Sequence, residues 1–434
     1  MKDRLKKLRQ VPLAILDGDR GVNYPNKSEF QEAGFCLFLN TSNVTKTGFD
    51  FSSTDFVSKE RDALLRKGKL RRDDVVMTTR GTIGNVAYYR DHISYEHIRI
   101  NSGMVILRAE AKKLDPYFLY SFLRSDLFKK QTRSQGSGSA QPQLPIGSLR
   151  NIVIPQLDFS DQQDIGKVLA TLDAKIELNN RINKELEGMA KLLYDYWFVQ
   201  FDFPITAAQA TAMRKPHLKG KPYRASGGKM IYSEALKREI PEVWVPGAAD
   251  SLFSFNPSVT LKDGTVAGFF DMDAVPTRGF MTKKVQRKAF SGGTKFANGD
   301  VVVARITPCL ENGKTALITQ LEDGQTGFGS TEFIVMRGKP RSLSAFGACI
   351  ARSEHYRKFA ILNMTGTSGR KRIEASVLKT FPLPIPSIEL LSNFEEICEP
   401  MFQEMTENEK QNQELTELRD WLLPMLMNGQ VTVG

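Results

Sequence analysis

The chain has 434 residues, 41% of them hydrophobic and 25% charged, with 60 Lys and Arg against 49 Asp and Glu for a formal charge of +11. That length calls for roughly two or three cores, and the composition excludes a disordered or fibrous chain. No run approaches the roughly 18 apolar residues of a membrane span. The four scattered cysteines (Cys36, Cys309, Cys349, Cys398) and four histidines argue against a disulfide framework, a zinc knuckle or another metal site.

The opening segment, residues 1–21, is basic but has too short an apolar stretch for a secretory signal, so a cytoplasmic location is expected. The surplus of cations favours a polyanionic partner, nucleic acid before an anionic membrane surface. In the first third, Arg66, Lys67, Lys69, Arg71 and Arg72 precede Thr78-Thr-Arg-Gly-Thr-Ile-Gly84, a basic cluster at a turn between runs that read as strands. One helix is predicted over Pro116 to Lys130. A loop rich in Gly, Ser and amides follows from Gln131 to Gln141, then the strand exit Leu149–Pro155. Glycine allows close backbone approach, while hydroxyl and amide donors suit phosphate oxygens.

A long helix is predicted next, with Ser160 and Gln163 as a capping box. From Ile165, steps of seven reach Leu172, Asn179, Leu186 and Leu193, with Val168, Ile182, Met189 and Tyr196 between them. Phe201 to Ile240, rich in Lys, Pro, Gly and Ala, reads as an extended connector. The second half repeats the scheme. Lys283, Lys284, Arg287, Lys288 and Lys295 form its basic cluster, and a helix is predicted over Ser342 to Ile361. The loop Asn363–Arg372 matches the earlier Gly/Ser loop. Leu378–Pro384 repeats Leu149–Pro155 at an offset of 229 residues, and Asp300-Val-Val302 repeats Asp74-Val-Val76 at 226.

The closing helix carries the same seam: Phe394, Met401, Asn408, Leu415 and Leu422, with Ile397, Gln411, Leu418 and Met425 between. A polar residue in the middle layer of each helix penalises slipped registers. Pro400 is expected to kink or restart this helix, Pro424 to end it early, and Ser392 with Glu395 to cap it weakly. Catalytic motifs are absent. Asn312-Gly-Lys-Thr315 looks like the tail of a P-loop but has Pro308 where the first glycine belongs, and Asn256-Pro257 lacks the next residues of an amino-methyltransferase signature.

The order and spacing of these segments resemble the specificity subunit of type I restriction–modification systems. The resemblance spans nearly the whole chain. Its carriers are residues 80–84, 136–157, 172–198, 201–204, 220–230, 238–244 and 367–386 with the closing helix. It implies an α+β fold of two target-recognition domains separated by two long antiparallel, coiled-coil helices with an internal pseudo-two-fold repeat. The domains would be 1–158 and 241–387, the spacer helices 159–203 and 388–434, and the connector 204–240. It further implies recognition of a bipartite, asymmetric target in double-stranded DNA. Two modification subunits would bring S-adenosylmethionine, and restriction subunits would use ATP and Mg²⁺, with no catalysis or cofactor in this chain.

The expected DNA contacts are Arg80, Gly81, Thr82, Arg133, Ser137, Ser139, Gln141, Lys283, Lys284, Arg287, Arg370, Lys371 and Arg372. The expected helix pairing uses Leu172, Asn179, Leu186, Leu193, Met401, Asn408, Leu415 and Leu422, with Asn179 and Asn408 near a shared centre. The rival expectations are a self-contained DNA methyltransferase with its own reader and a non-enzymatic coiled-coil adaptor.

Overall fold

The computed structural model describes residues 5–133, 143–205, 207–224, 229–283, 285–339, 343–367 and 369–431. The chain divides into two compact units, Met1–Lys175 with Leu415–Gly434 and Ile176–Glu414. In the first, an antiparallel sheet runs in the order Leu13–Asp17, Met104–Ala109, Val75–Thr78, Val86–Tyr88. The central strand Val75–Thr78 and the start of Met104–Ala109 are apolar and buried on both faces, while the edge strand Leu13–Asp17 is half-buried. The two-residue period sends Val75 and Met77 into one apolar cluster with Phe118 and Phe122, and Val76 into another with Leu37 and Ile98. The second cluster lies under a smaller sheet ordered Phe56–Val57, Cys36–Leu39, Ile98–Ile100, whose last two strands are parallel.

The second unit repeats this wiring. Its antiparallel sheet runs Phe253–Phe255, Phe333–Gly338, Val301–Ala304, Thr315–Leu317. Its other sheet runs Gln286–Ala289, Val266–Phe270, Gly327–Gly329, Thr294–Phe296, again with a parallel pair at Val266–Phe270 and Gly327–Gly329. The repeated Asp-Val-Val has a structural reason. Asp74 caps its own turn from the backbone N–H of Arg71 (2.7 Å) and pairs with Arg108 (2.7 Å). Asp300 does the same with Ala297 (2.8 Å) and Arg337 (2.6 Å). Both carboxylates are buried, where removing one partner of such a pair costs about 3–5 kcal/mol.

Each single helix predicted after these sheets is two. Pro116–Arg124 and Asp126–Arg133 break at Ser125, and Ser344–Arg352 and Glu354–Leu362 break at Ser353. The serine hydroxyl oxygen accepts the N–H three residues on in both cases (Phe128 and Tyr356, 3.2 Å), so it starts the second helix rather than continuing the first.

The first long helix is Phe159–Tyr194, followed by a π-helical turn Asp195–Gln200 that Phe201 ends in the left-handed region (φ 61). It starts one residue before the predicted Ser160 cap. Gln162 does the tying there, donating to the Leu157 carbonyl (2.9 Å) and accepting the Asp115 N–H (3.0 Å). The second, Ile388–Met427, runs unbroken through Pro400 and Pro424, contrary to the expected kink and early end. Both prolines are exposed, so carbonyls released by the missing N–H can turn to water. Ser387 accepts the Leu390 N–H (3.2 Å) at its start, in place of the Ser392–Glu395 cap.

The helices pair antiparallel within each unit. In the first, Asp173 meets Arg419 (2.8 Å), while Ile165 and Leu169 share a cluster with Leu423, Leu426 and Met427. In the second, Asn179 donates to Gln411 (2.8 Å) and Asn412 (3.1 Å), Asn408 to Asn183 (3.0 Å), and Asn412 to Asn180 (3.0 Å). The expected Asn179–Asn408 layer is therefore a reciprocal double layer. The offset of 229 turns Asn179 into Asn408 and Asn183 into Asn412, so each partner answers the other's equivalent.

Of the predicted seam, Asn179 and Asn408 are buried and Leu172, Leu186, Leu193, Met401, Leu415 and Leu422 are half-buried. The second line of the seam lies one residue beyond the predicted one, at Leu169, Asn183, Ala190 and Trp197, and at Cys398, Met405, Asn412 and Leu426. Met189, Ile397 and Leu418, predicted inside, are exposed.

The expected extended connector is folded. Asp202–Pro204 pairs with Pro222–Arg224, and Met230–Ser233 pairs with Arg238–Pro241. The helix Ala207–Ala212 lies between the first two, and Gly220 in the left-handed region (φ 77) returns its N–H to Ile205 (2.8 Å). Among the described residues no helix is long and apolar enough to cross a membrane.

Candidate nucleic-acid interface

In the first unit, strands Val75–Thr78 and Val86–Tyr88 are joined by the loop holding Arg80, Gly81 and Thr82. Its base is pinned from three sides. Thr79 and Arg80 donate their N–H groups to the Gly103 carbonyl (2.8 and 3.2 Å), and Gly84 donates to Thr78 (3.0 Å). The Thr78 hydroxyl donates to the Thr82 carbonyl and accepts the Asn85 N–H (3.1 Å). Gly81 and Gly84 have φ of 71 and 82, which favours glycine, and among the described residues nothing lies where a side chain would stand. The fixed base thus carries an exposed tip, Arg80–Thr82.

The stretch after the Gly/Ser loop closes on this one. Arg80 forms a bridge with Gln143, and Leu144 donates to the Thr79 carbonyl (2.9 Å). Ser137, Ser139 and Gln141 lie outside the described residues, as does the side chain of Arg133 at the end of its helix.

The second unit builds the same junction from other residues. Ile306 bridges Arg372, at the offsets that carry Arg80 to 306 and Gln143 to 372. Thr307 donates to the Lys371 carbonyl (3.0 Å), and Ile373 donates to Arg305 (2.9 Å). Thr365 and Arg372 exchange N–H bonds (2.9 and 2.8 Å), closing a turn in which Gly366 and Gly369 have φ of 120 and 79.

Charge is sorted within this junction. Arg372 grips Glu332 with both Nε and Nη2 (2.7 Å at the closest) and holds its carboxyl below the ordinary carboxylate range, while Arg305 pairs with Glu374. Arg370 and Lys371 are exposed, and among the described residues neither meets a carboxylate. The geometry therefore presents Arg370 and Lys371 to a ligand and uses Arg372 as scaffold.

Lys283 and Arg287 are elsewhere. Arg287 lies on the exposed edge strand Gln286–Ala289 and pairs with Glu322 (2.9 Å), and Lys283 precedes it. Lys284 lies outside the described residues. Sequence reasoning missed Arg305, Thr307 and Glu332. The offset of 226 from Arg80 would have pointed to Arg305 and Thr307, whereas Glu332 comes from the turn before Phe333–Gly338. Among the described residues no cluster of His, Cys, Asp or Glu could hold a metal ion.

Residues 18–188 match a family profile described as a type I restriction modification DNA specificity domain. A type I restriction enzyme specificity subunit (HindI) of Haemophilus influenzae is 24% identical over 95% of this chain and 98% of its own length. One from Methanocaldococcus jannaschii (MjaIX) is 22% identical over 83% of this chain and 78% of its own. The fold is shared with a type I restriction–modification S subunit from M. genitalium, at a TM-score of 0.53 and 14% identity over 98% of this chain and 95% of that one. With its two like-wired units, paired long helices and matching loop junctions, this chain is similar over nearly its whole length to type I restriction–modification specificity subunits.

Proposed function

We propose that this chain is the DNA-recognition subunit of a type I complex. Each unit reads one half of a bipartite, asymmetric target through its loop junction, at Arg80–Thr82 in one and at Arg370–Lys371 in the other. The supporting observation is the recurrence of one junction, a turn after a buried central strand bridged to a Gly-rich segment, in two units whose exposed tips differ in sequence. A shared scaffold with different tips is what reading two unlike half-sites requires. Methyl transfer with S-adenosylmethionine and cleavage with ATP and Mg²⁺ are assigned to partner subunits.

Mapping genomic methylation with the gene present and deleted yields the target. Arg80→Ala and Lys371→Ala are then expected to weaken binding to that duplex by about 1–3 kcal/mol each while the fold persists. Unchanged affinity in both variants refutes the assignment of the junctions. Methyl transfer to DNA by the purified chain alone refutes the division of labour.

A further inference from the structure

Both units carry an outward row of residues across their parallel strands, and the two rows are treated differently. In the first unit, Phe38 stands opposite Arg99 and Arg99 opposite Lys69. Tyr24 and Phe30 pack on Phe38 (5.6 and 5.4 Å between rings), and the helix Lys59–Leu64 brings Asp62 to Arg99 (2.6 Å). The row is sealed, with Phe38 at 3% exposure and Arg99 at 5%.

The equivalent row of the second unit is Phe269, Phe328 and Lys295, again directly opposite one another. The inward neighbours confirm the match: Leu39 and Phe270 each enter the cluster beneath their sheet. Here, among the described residues, no helix covers the row. The connection that holds Lys59–Leu64 in the first unit is reduced to Phe290–Gly293, where Gly292 and Gly293 turn at φ of 131 and 120.

What stands there instead is aromatic and cationic. Phe269 and Phe290 are half-exposed and both pack on Phe328 (5.1 Å). Lys288, from the exposed edge strand, lies over Phe269 (4.6 Å), and Lys295 over Phe290 (5.1 Å). Among the described residues neither ammonium meets a carboxylate. A flat apolar strip between two uncompensated cations fits deoxyribose flanked by phosphates, and it fits an uncharged or cationic protein surface poorly.

We propose that this uncovered face grips the sugar–phosphate backbone of duplex DNA, independently of sequence and separately from the base-reading junction. The proposal rests on the reading that the second unit binds DNA. The test uses the full chain, with the modification subunits that co-purify with it, and two labelled duplexes of equal length. One holds the mapped target and the other is scrambled. The double variant Lys288→Ala/Lys295→Ala is expected to weaken binding to both duplexes by the same factor. It should also lower the slope of log affinity against log salt by about 1.8, the loss of two phosphate contacts. The pair Lys288→Arg/Lys295→Arg should restore the slope.

Unchanged slope and affinity for the scrambled duplex overturn the proposal. So does a loss confined to the target, and so does a loss of subunit co-purification with DNA binding intact, which would make the face a protein interface. If the wild-type complex shows no preference for its target, the reading of the junctions fails, while the salt slope still decides this face.

Discussion

The helix after each central sheet ends in an arginine at the same place, and the two units use it in opposite ways. Arg124 of the first unit pairs with Asp173 on the long helix (2.7 Å). Asp173 also receives Arg419 (2.8 Å) and the Tyr117 hydroxyl (2.6 Å). The offset of 229 puts Phe402 where Asp173 would be and Ala190 where Arg419 would be, both inside an apolar cluster. Arg352, deprived of a carboxylate there, donates to the carbonyls of Pro276, Thr277, Gly313 and Thr315, and burial pulls its pKa down to about 10.

The capping of the same helix is exchanged as well. Asp115 caps Pro116–Arg124 from the loop, accepting the Phe118 N–H (2.8 Å), and Gly166 on the long helix leaves room for it. In the second unit the cap position is Leu343 and the carboxylate comes from the long helix. Glu395, at the offset of 229 from Gly166, accepts the N–H groups of Ala345 (3.0 Å) and Phe346 (2.8 Å). One architecture thus tolerates a carboxylate from either side of a contact, provided exactly one side supplies it.

The sharpest way to break this comparison is Asp173→Ala. It leaves the largely buried Arg124 guanidinium without a carboxylate and Arg419 with Asp420 alone, and is expected to destabilise the first unit by about 3 kcal/mol. Hydrogen exchange in Met104–Ala109 should report the loss, with Phe333–Gly338 unaffected. A loss below 1 kcal/mol would show that the triad is replaceable by packing, as its counterpart is.

Acidity separates the units next. Burial pushes the Glu395 carboxyl up to about 7 despite the two N–H groups it accepts. A raised carboxyl keeps its proton in the folded form, so its contribution is fully present below the unfolded value near 4.5 and is lost as pH rises through about 7. Asp173 behaves oppositely. Burial alone would raise it, but Arg124, Tyr117 and Arg419 hold it below the ordinary range, so its contribution is lost only as pH falls through that lowered value. Between pH 5 and 8 the second unit should weaken by about 2.5 kcal/mol relative to Glu395→Gln. Parallel pH profiles for wild type and Glu395→Gln would remove the assignment.

The smallest effect sharpens the exchange of caps. Asp115→Ala should cost about 1 kcal/mol. Gly166→Ala should cost at least as much alone, because its new Cβ would stand 2.7 Å from the Asp115 carboxylate, but little in the Asp115→Ala background. Additive costs in a thermal-unfolding cycle would contradict a shared contact.

The repeat was legible because equal strands and loops recur at near-constant offsets, and Asp-Val-Val marked the central strand through its obligatory ion pair. The seam was half legible. Ile397, Leu418 and Met189 are apolar at plausible spacing yet exposed, while Asn183 and Asn412, polar by type, are buried because they satisfy Asn408 and Asn179. Periodicity counts apolar residues, and amides paired across a helix interface escape that count. At the junctions, Arg80, Arg370 and Lys371 stood out as cations beside glycines. That Arg372 is committed to Glu332, forty residues away in the chain, depends on strand pairing that no local pattern carries.

The divided cap has a consequence for exchanging globular halves between chains of this architecture. A crossover that imports a foreign globular half but keeps the resident helix would set a loop aspartate against Glu395, or leave a leucine-capped helix facing Gly166 with no anion. Viable recombination points should therefore fall beyond the helical turn bearing residue 166 or 395, so that each transplanted half travels with its own stretch of rod.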